Sequence, residues 1–136
     1  MLAPGRENFV PTALGAWLQT NHQALFLPSV TIAEIAQGIS KLRRTGGAPR
    51  ADRLNHWLEG LLTVYADRIL SLDADTARLA GQISDAAIAQ GRHLGFADVA
   101  IAAIAINVNL LLLTSNIKHF EPLGVMCVDP LMALPE

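Results

Sequence analysis

Apolar and polar positions follow a helical period over five stretches of the chain. This spacing predicts helices over residues 12–19, 31–44, 51–66, 74–90 and 96–106. Between them lie short runs that are almost wholly apolar, which predict strands over residues 24–27, 68–72, 110–113 and 125–128. Short apolar strands that alternate with helices are typical of an α/β domain with a parallel sheet and right-handed crossovers.

The ends of several predicted helices carry recognisable signals. Asp73 is a predicted N-cap for the helix over 74–90, because its carboxylate can accept from a free N–H of the first turn. Thr31 and Glu34 have capping-box spacing, in which the two side chains satisfy free N–H groups reciprocally. Gly46 and Gly47 separate two helical patterns, so residues 31–66 are predicted to form a helical hairpin.

Length and composition indicate one domain over residues 1–136, since 51% hydrophobic residues can bury a single core. The net charge of −2 excludes a strongly basic protein, so any contact with nucleic acid must be local. A lone cysteine, Cys127, excludes a disulfide within the chain, and the first ten residues contain no signal-peptide core; both favour the cytoplasm. The apolar tract over 96–113 is broken by Asp98 and two asparagines, so no membrane span is expected.

Three polar residues follow predicted strands, where ligand sites of open parallel sheets lie. Glu34 comes after the 25–30 segment, Asp98 opens the alanine-rich helix, and Asn116 follows the 110–114 segment. If the preceding strands are neighbours, these side chains converge on one edge of the sheet. Carboxylate and amide oxygens suit Mg²⁺ or Mn²⁺, so this edge is a candidate metal site.

Each of the three residues also has a purely structural explanation. Glu34 can act only in the capping box, and Asn116 can be a plain N-cap for the turn over 117–120. Asp98 can complement the positive end of a helix dipole. A carboxylate inside so apolar a segment nevertheless demands compensation, which for Asp98 favours a functional role.

Three motifs in a fixed order resemble the PIN-domain family, and especially its VapC-like toxins. They are TIAEI at 31–35, GRHLGFADVAIA at 91–102, and LTSN at 113–116 followed by Phe120. The eighteen positions from Asp98 to Asn116 (116 − 98) also agree with that family. The resemblance extends over about residues 13–130.

The resemblance implies a three-layer fold with a central parallel sheet between helices. It also implies a Mg²⁺-dependent (or Mn²⁺-dependent) endoribonuclease toxin, whose metal activates a water for attack on RNA. Glu34 and Asp98 would be metal ligands, and Asn116 would position the metal or its water. The expected partners are a cognate antitoxin, whose helix lies in an apolar groove of the helical hairpin, an RNA substrate and a second copy in a homodimer.

Two features depart from the family pattern. The family begins with an apolar strand that ends in an aspartate ligand, and nothing before Trp17 can supply it. His119 stands where the family often has an aspartate. With two carboxylates and one amide remaining, we expect no detectable RNA cleavage by these 136 residues. We also expect the strands beside the missing one to have unpaired edges, which homodimerisation would cover.

Two other functions remain open at this point. One is a catalytically dead module that keeps the antitoxin-binding surface and the dimer interface, and the other is an unrelated α/β hydrolytic or signalling domain. Some polar residues are either RNA contacts or solvated surface: Arg92, His93 and His119. A basic cluster either attracts phosphates or acidic antitoxin residues, or is only a solvated face: Lys41, Arg43, Arg44, Arg50 and Arg53. Trp17, Trp57 and Tyr65 are expected in the core or a partner groove.

Overall fold

The computed structural model describes residues 12–135, so the expectation about the segment before Thr12 lies outside it. The helices of this part are α1 (Thr12–Thr20), α2 (Ser29–Arg44), α3 (Ala48–Val64), α4 (Ala74–Ala89), α5 (Phe96–Asn107) and α6 (Ile117–Phe120). The strands are β1 (Leu27–Pro28), β2 (Ile69–Leu70), β3 (Leu112–Leu113) and β4 (Cys127–Val128). Two 3₁₀ turns, His22–Ala24 and Glu121–Leu123, join neighbouring elements.

Helices α2 and α3 form the predicted hairpin around one apolar cluster. Its buried members are Leu27, Ile39, Ala51, Leu58, Leu61 and Tyr65. The turn between the helices needs glycine twice. Gly46 has a φ of +97°, a backbone angle that residues with a side chain rarely adopt. A Cβ on Gly47 would overlap the side chain of Leu42.

Helices α4 and α5 pack against each other through small residues. Asp73 caps α4 as predicted, because its carboxylate accepts from the Thr76 N–H at 2.8 Å. Ala80 of α4 meets Val99 and Ala103 of α5 in a second cluster. Seven successive residues of α5, 99–105, are buried, and the helix also touches α2. Helix α5 is therefore the central helix of the molecule.

The strands form two separate parallel pairs. Leu27 of β1 is paired with Ile69 of β2, and Leu112 of β3 is paired with Cys127 of β4. Within the described residues, β1 and β3 each have a partner on one side only. A cleft separates these two pairs, with β1 on one wall and β3 on the other.

The α/β fold class is confirmed, with one correction. Within residues 12–135 the strands form two half sheets, and this agrees with the unpaired edges that were predicted. The capping box is wrong: α2 begins at Ser29 with Pro28 as its N-cap, so Thr31 lies inside the helix and makes no cap hydrogen bond. No helix between residues 12 and 135 is long and apolar enough to cross a bilayer.

Candidate functional site

The cleft between β1 and β3 has a volume of about 400 Å³ and mostly apolar walls. Its walls include residues 24–28 and 110–113, together with Ile101 and Ile104 of α5. Polar side chains also line this cleft: Thr31, Glu34, Asp98, Thr114 and Asn116. The structure thus brings the three predicted site residues into the lining of one cleft.

Glu34 enters the site from α2. It is the sixth residue of this helix, one turn beyond β1, and is not held in a cap. Partial burial raises the pKa of its carboxyl above the ordinary value of 4.5, and the negative charge of Asp98 raises this pKa further. The two carboxylates are therefore close enough to repel each other.

Asp98 enters the site from the first turn of α5. Its side chain is 29% exposed, and its Oδ2 lies 3.5 Å from Nδ1 of His119 on α6. When His119 is protonated, its charge offsets part of the negative charge of Asp98. His119 was expected at most as an RNA contact, so its position beside Asp98 is a finding that the sequence alone did not provide.

Asn116 is the N-cap of α6, but its side chain does not cap the helix. Its backbone N–H donates to Oγ1 of Thr114 at 3.0 Å, which fixes the turn after β3. The side-chain amide lies at the cleft without serving the helix end. The plain N-cap explanation therefore accounts for its position but not for its side chain.

The donor set of this site consists of oxygen atoms from two carboxylates and one amide. Such donors fit a hard divalent ion that keeps several of its waters. Among residues 12–135, no group of three or more His, Cys, Asp or Glu side chains converges. Two further polar residues, Thr31 and Thr114, line the cleft and were not predicted as site residues from the sequence. Arg92 and His93 are exposed and do not line it.

A second concave surface, the hairpin groove, lies between α2 and α3 and has a volume of about 440 Å³. Its apolar lining includes Ile35, Ile39, Leu42, Leu54 and Trp57, and its basic lining includes Lys41 and Arg50. The placement of Trp57 agrees with the expected partner groove, and Tyr65 is buried in the adjacent cluster. Arg43 of the basic cluster is paired with Asp52 at 2.7 Å, at an exposed position.

The profile of the PIN domain matches residues 5–122. The chain belongs to the PIN domain family. The VapC ribonuclease Y4jK of Sinorhizobium fredii is 28% identical over 120 residues, which cover 87% of this chain and 84% of that protein. Toxin FitB of Neisseria gonorrhoeae is 29% identical over 117 residues, covering 85% of this chain and 82% of FitB.

A solved structure of FitAcB from Neisseria gonorrhoeae has the same fold as this PIN domain. The two superpose with a TM-score of 0.75 and 28% identity, over 89% of this chain and 87% of that one. The predicted family is thereby confirmed. The alternative that the chain is an unrelated α/β hydrolytic or signalling domain is excluded.

Proposed function

We propose that this PIN domain is the toxin of a toxin–antitoxin pair, and that the polar lining of the cleft is a Mg²⁺ or Mn²⁺ site for cleavage of RNA. The observation that carries the proposal is that Glu34 and Asp98 line the same cleft, where burial and then the charge of Asp98 raise the pKa of Glu34. A divalent ion bound between two carboxylates would offset the repulsion between their negative charges. The names of the relatives, a VapC ribonuclease and a toxin, support the same class.

Each residue has a separate role in this proposal. Glu34 and Asp98 would hold the ion, and Asn116 would orient a ligand or water beside it. When bound, the ion would activate water and offset the charge that develops on the phosphate. Thr31 and Thr114 are hydroxyl donors in the lining of the same cleft and are suited to contact phosphate oxygens.

The hairpin groove is the proposed seat of the antitoxin. Its apolar lining fits the hydrophobic face of a helix, and Lys41 and Arg50 fit acidic residues at the edge of that helix. We also propose that the protein forms a homodimer and is located in the cytoplasm. Neither affects the assignment of the metal ligands.

Calorimetric titration with Mn²⁺ tests the metal site. We expect weak, roughly millimolar binding, because residues 12–135 contribute two carboxylates to the cleft. Asp98→Asn and Glu34→Gln should each abolish it. Asp85→Asn, which removes an exposed carboxylate from α4, is the matched control and should leave binding unchanged.

Incubation of the chain with RNA and Mg²⁺ tests the activity. We expect cleavage below detection, because the described residues bring no third acidic ligand to the cleft. Robust Mg²⁺-dependent cleavage that Asp98→Asn abolishes would contradict this expectation. It would show that two carboxylates and an amide are sufficient.

A catalytically dead binding module is the second candidate, and the small donor set favours it. Absence of Mn²⁺ binding, together with co-purification of a small antitoxin, would select this candidate. Loss of that co-purification in Trp57→Ala, with the fold retained, would place the antitoxin in the hairpin groove.

A further inference from the structure

A third concave surface, the flanking pocket, adjoins the cleft. It has a volume of about 530 Å³ and is lined by residues 115–119, 127–129 and 132–133. These residues lie after β3 and at the end of β4, so the pocket is at the carboxyl ends of two paired parallel strands. Ligand sites of open parallel sheets lie at this edge. The position of the flanking pocket is therefore one at which a ligand is expected.

The flanking pocket is continuous with the proposed metal site. Asn116 lines both the pocket and the cleft. His119 lines the pocket, and its Nδ1 lies 3.5 Å from Oδ2 of Asp98, which lines the cleft. A polymer that has one phosphate at Asp98 would therefore have its next unit in or beside the flanking pocket.

The lining of the flanking pocket combines apolar side chains with a positive charge. Ile117, Val128 and Met132 supply the apolar part, and Lys118 supplies an ammonium group. Apolar side chains pack on the flat faces of a nucleobase, and lysine binds phosphate as a point charge. This combination fits a nucleotide, in which a flat ring is joined to an anionic group.

Asp129, an acidic residue of the same lining, is engaged by the loop that follows β4. Its Oδ1 accepts from the Leu131 N–H at 2.9 Å. Its carbonyl oxygen accepts from the N–H groups of Met132 and Ala133, each at 3.0 Å. These three bonds fix the backbone that carries Met132. Because a carboxylate repels phosphate, we assign the phosphate contact to Lys118.

The side chain of Met132 projects into solvent from this fixed backbone. Met132 is 84% exposed, more than any other large apolar residue in the described part of the chain. Its side chain thus contributes little to the core and is available to a ligand. A thioether packs favourably on an aromatic ring, and covering it removes apolar surface from water. Contact with a base would therefore stabilise a complex at this position.

We propose that the flanking pocket binds the nucleotide next to the phosphate at which RNA is cleaved. The base packs on Met132 and Ile117, and Lys118 binds the adjoining phosphate. Because a base must leave its stack to enter such a pocket, the substrate is a single-stranded segment of RNA. The inference rests on the proposed function, since it extends the binding of the same substrate beyond the metal site.

Fluorescence anisotropy of a short labelled single-stranded RNA tests the inference. The 136-residue chain is titrated into the RNA in Mn²⁺, and a gel shows whether the RNA stays intact. We expect Met132→Ala to raise the Kd roughly fivefold, because packing of the thioether on the base is lost. Lys118→Ala should also raise the Kd, and it should reduce the slope of log affinity against log salt by about 0.7, the value for one phosphate contact on a single strand.

Two control variants make the same changes outside the flanking pocket. Met126→Ala truncates a methionine that is 58% exposed and does not line the pocket. Arg78→Ala removes a positive charge from an exposed position of α4. Both should bind RNA as the unaltered chain does at about 0.15 M salt, where exposed charges are screened beyond about 8 Å.

An abasic RNA separates the base contact from the phosphate contact. It keeps the phosphates and lacks the rings, so Met132→Ala should bind it as tightly as the unaltered chain does. Lys118→Ala should still bind it more weakly. A loss in Met132→Ala that persists with the abasic RNA would overturn the assignment of the base to Met132.

Three other results would overturn the inference, and they differ in what they leave of the proposed function. Equal affinity of the unaltered chain, Met132→Ala and Lys118→Ala for RNA would remove the pocket and leave the metal site. Failure of the unaltered chain to bind RNA would overturn both the pocket and the RNA substrate. Unchanged RNA binding with loss of a co-purified antitoxin in Met132→Ala would assign the pocket to a protein partner.

Photochemical cross-linking gives a second measurement on the unaltered chain and so does not depend on the folding of a variant. RNA that contains 4-thiouridine is irradiated in the complex, and the adducts are located by mass spectrometry of peptides. We expect adducts within residues 115–119 and 127–133, which include the lining of the flanking pocket. Adducts found only in other segments would contradict the inference.

Discussion

At the scale of single residues, the charges of the cleft are unevenly balanced. Asp98 has the imidazole of His119 at 3.5 Å, whereas the pKa of Glu34 is raised by burial and then by Asp98. Because the pKa of Glu34 responds to the charge of Asp98, the Glu34 carboxyl is a reporter of the site.

Removing the charge of Asp98 should lower the pKa of Glu34 but leave it above 4.5, because burial is the larger of its two causes. A carbon-detected NMR titration of the Glu34 carboxyl in Asp98→Asn measures this shift. Between 4.5 and the raised pKa, the folded protein binds more protons than the unfolded chain, so stability falls as pH rises through that window. Asp98→Asn should narrow this pH range, because it lowers the pKa of Glu34 toward 4.5. An unchanged pKa of Glu34 would mean that Asp98 is too distant to matter, and Asp85→Asn is the control.

His119 offers a direct way to strengthen the donor set. We expect His119→Asp to tighten Mn²⁺ binding by about 10-fold, because it replaces the imidazole beside Asp98 with a third carboxylate. Calorimetric titration measures the change. His119→Asn removes the imidazole without adding a carboxylate, so an equal gain in both variants would show that loss of the imidazole, rather than a new ligand, is responsible.

At the scale of elements, helix α5 is closely packed and contributes seven successive buried residues to the core. Ala100, Ala102 and Ala103 have no measurable exposure. Ala103 belongs to the same apolar cluster as Ala80 of α4. Residues this small allow α4 to approach α5 closely. The packing leaves no space for longer side chains.

Ala103→Leu should destabilise the protein by about 1–3 kcal/mol, because a larger side chain must displace α4. Urea unfolding followed by circular dichroism measures the free energy of unfolding. Ala86→Leu on the exposed face of α4 is the matched control, with an expected change within about 0.5 kcal/mol. Equal losses in both variants would refute close packing at position 103.

Local signals predicted the helices better than the strands. The Asp73 cap was predicted because one side chain and one N–H decide it. The Thr31 cap was wrong because Pro28, already extended at the end of β1, starts α2 two residues earlier than the apparent capping box. Residues 110–113 were predicted as an apolar strand, yet the strand comprises Leu112–Leu113 and Leu111 is 44% exposed in the described part of the chain, because strand pairing and burial depend on residues distant in sequence.

The shared location of the candidate site residues was also predictable in part. Positions after strands singled out Glu34 and Asn116, and a carboxylate inside an apolar segment singled out Asp98; all three line one cleft. The closeness of His119 to Asp98 depends on how α6 packs on α5, which is a tertiary contact. No periodicity within either helix encodes it.

At the scale of the whole molecule, helix α5 contributes to two of the three apolar clusters. The third cluster lies between α2 and α3. Because α5 contacts α2, α4 and α6, it joins the parts on either side of the cleft. Its loss would therefore separate the two halves.

We expect the amides of α5 to be the last to exchange with solvent, since their opening requires disruption of two apolar clusters. Native-state hydrogen exchange in low urea measures this order. The amides of α3, which belong to one cluster, should open earlier. Exchange of α5 at or before α3 would show that the halves are held together by other contacts.

A substitution in the turn between α2 and α3 would change the hairpin groove but not the lining of the cleft. A methyl group on residue 47 would collide with Leu42, which belongs to the hairpin groove and not to the cleft. Under the proposed function, binding of the antitoxin and chemistry on RNA are therefore expected to be separable by mutation. Gly47→Ala is expected to disturb the hairpin groove and to leave the acidic residues of the cleft in place.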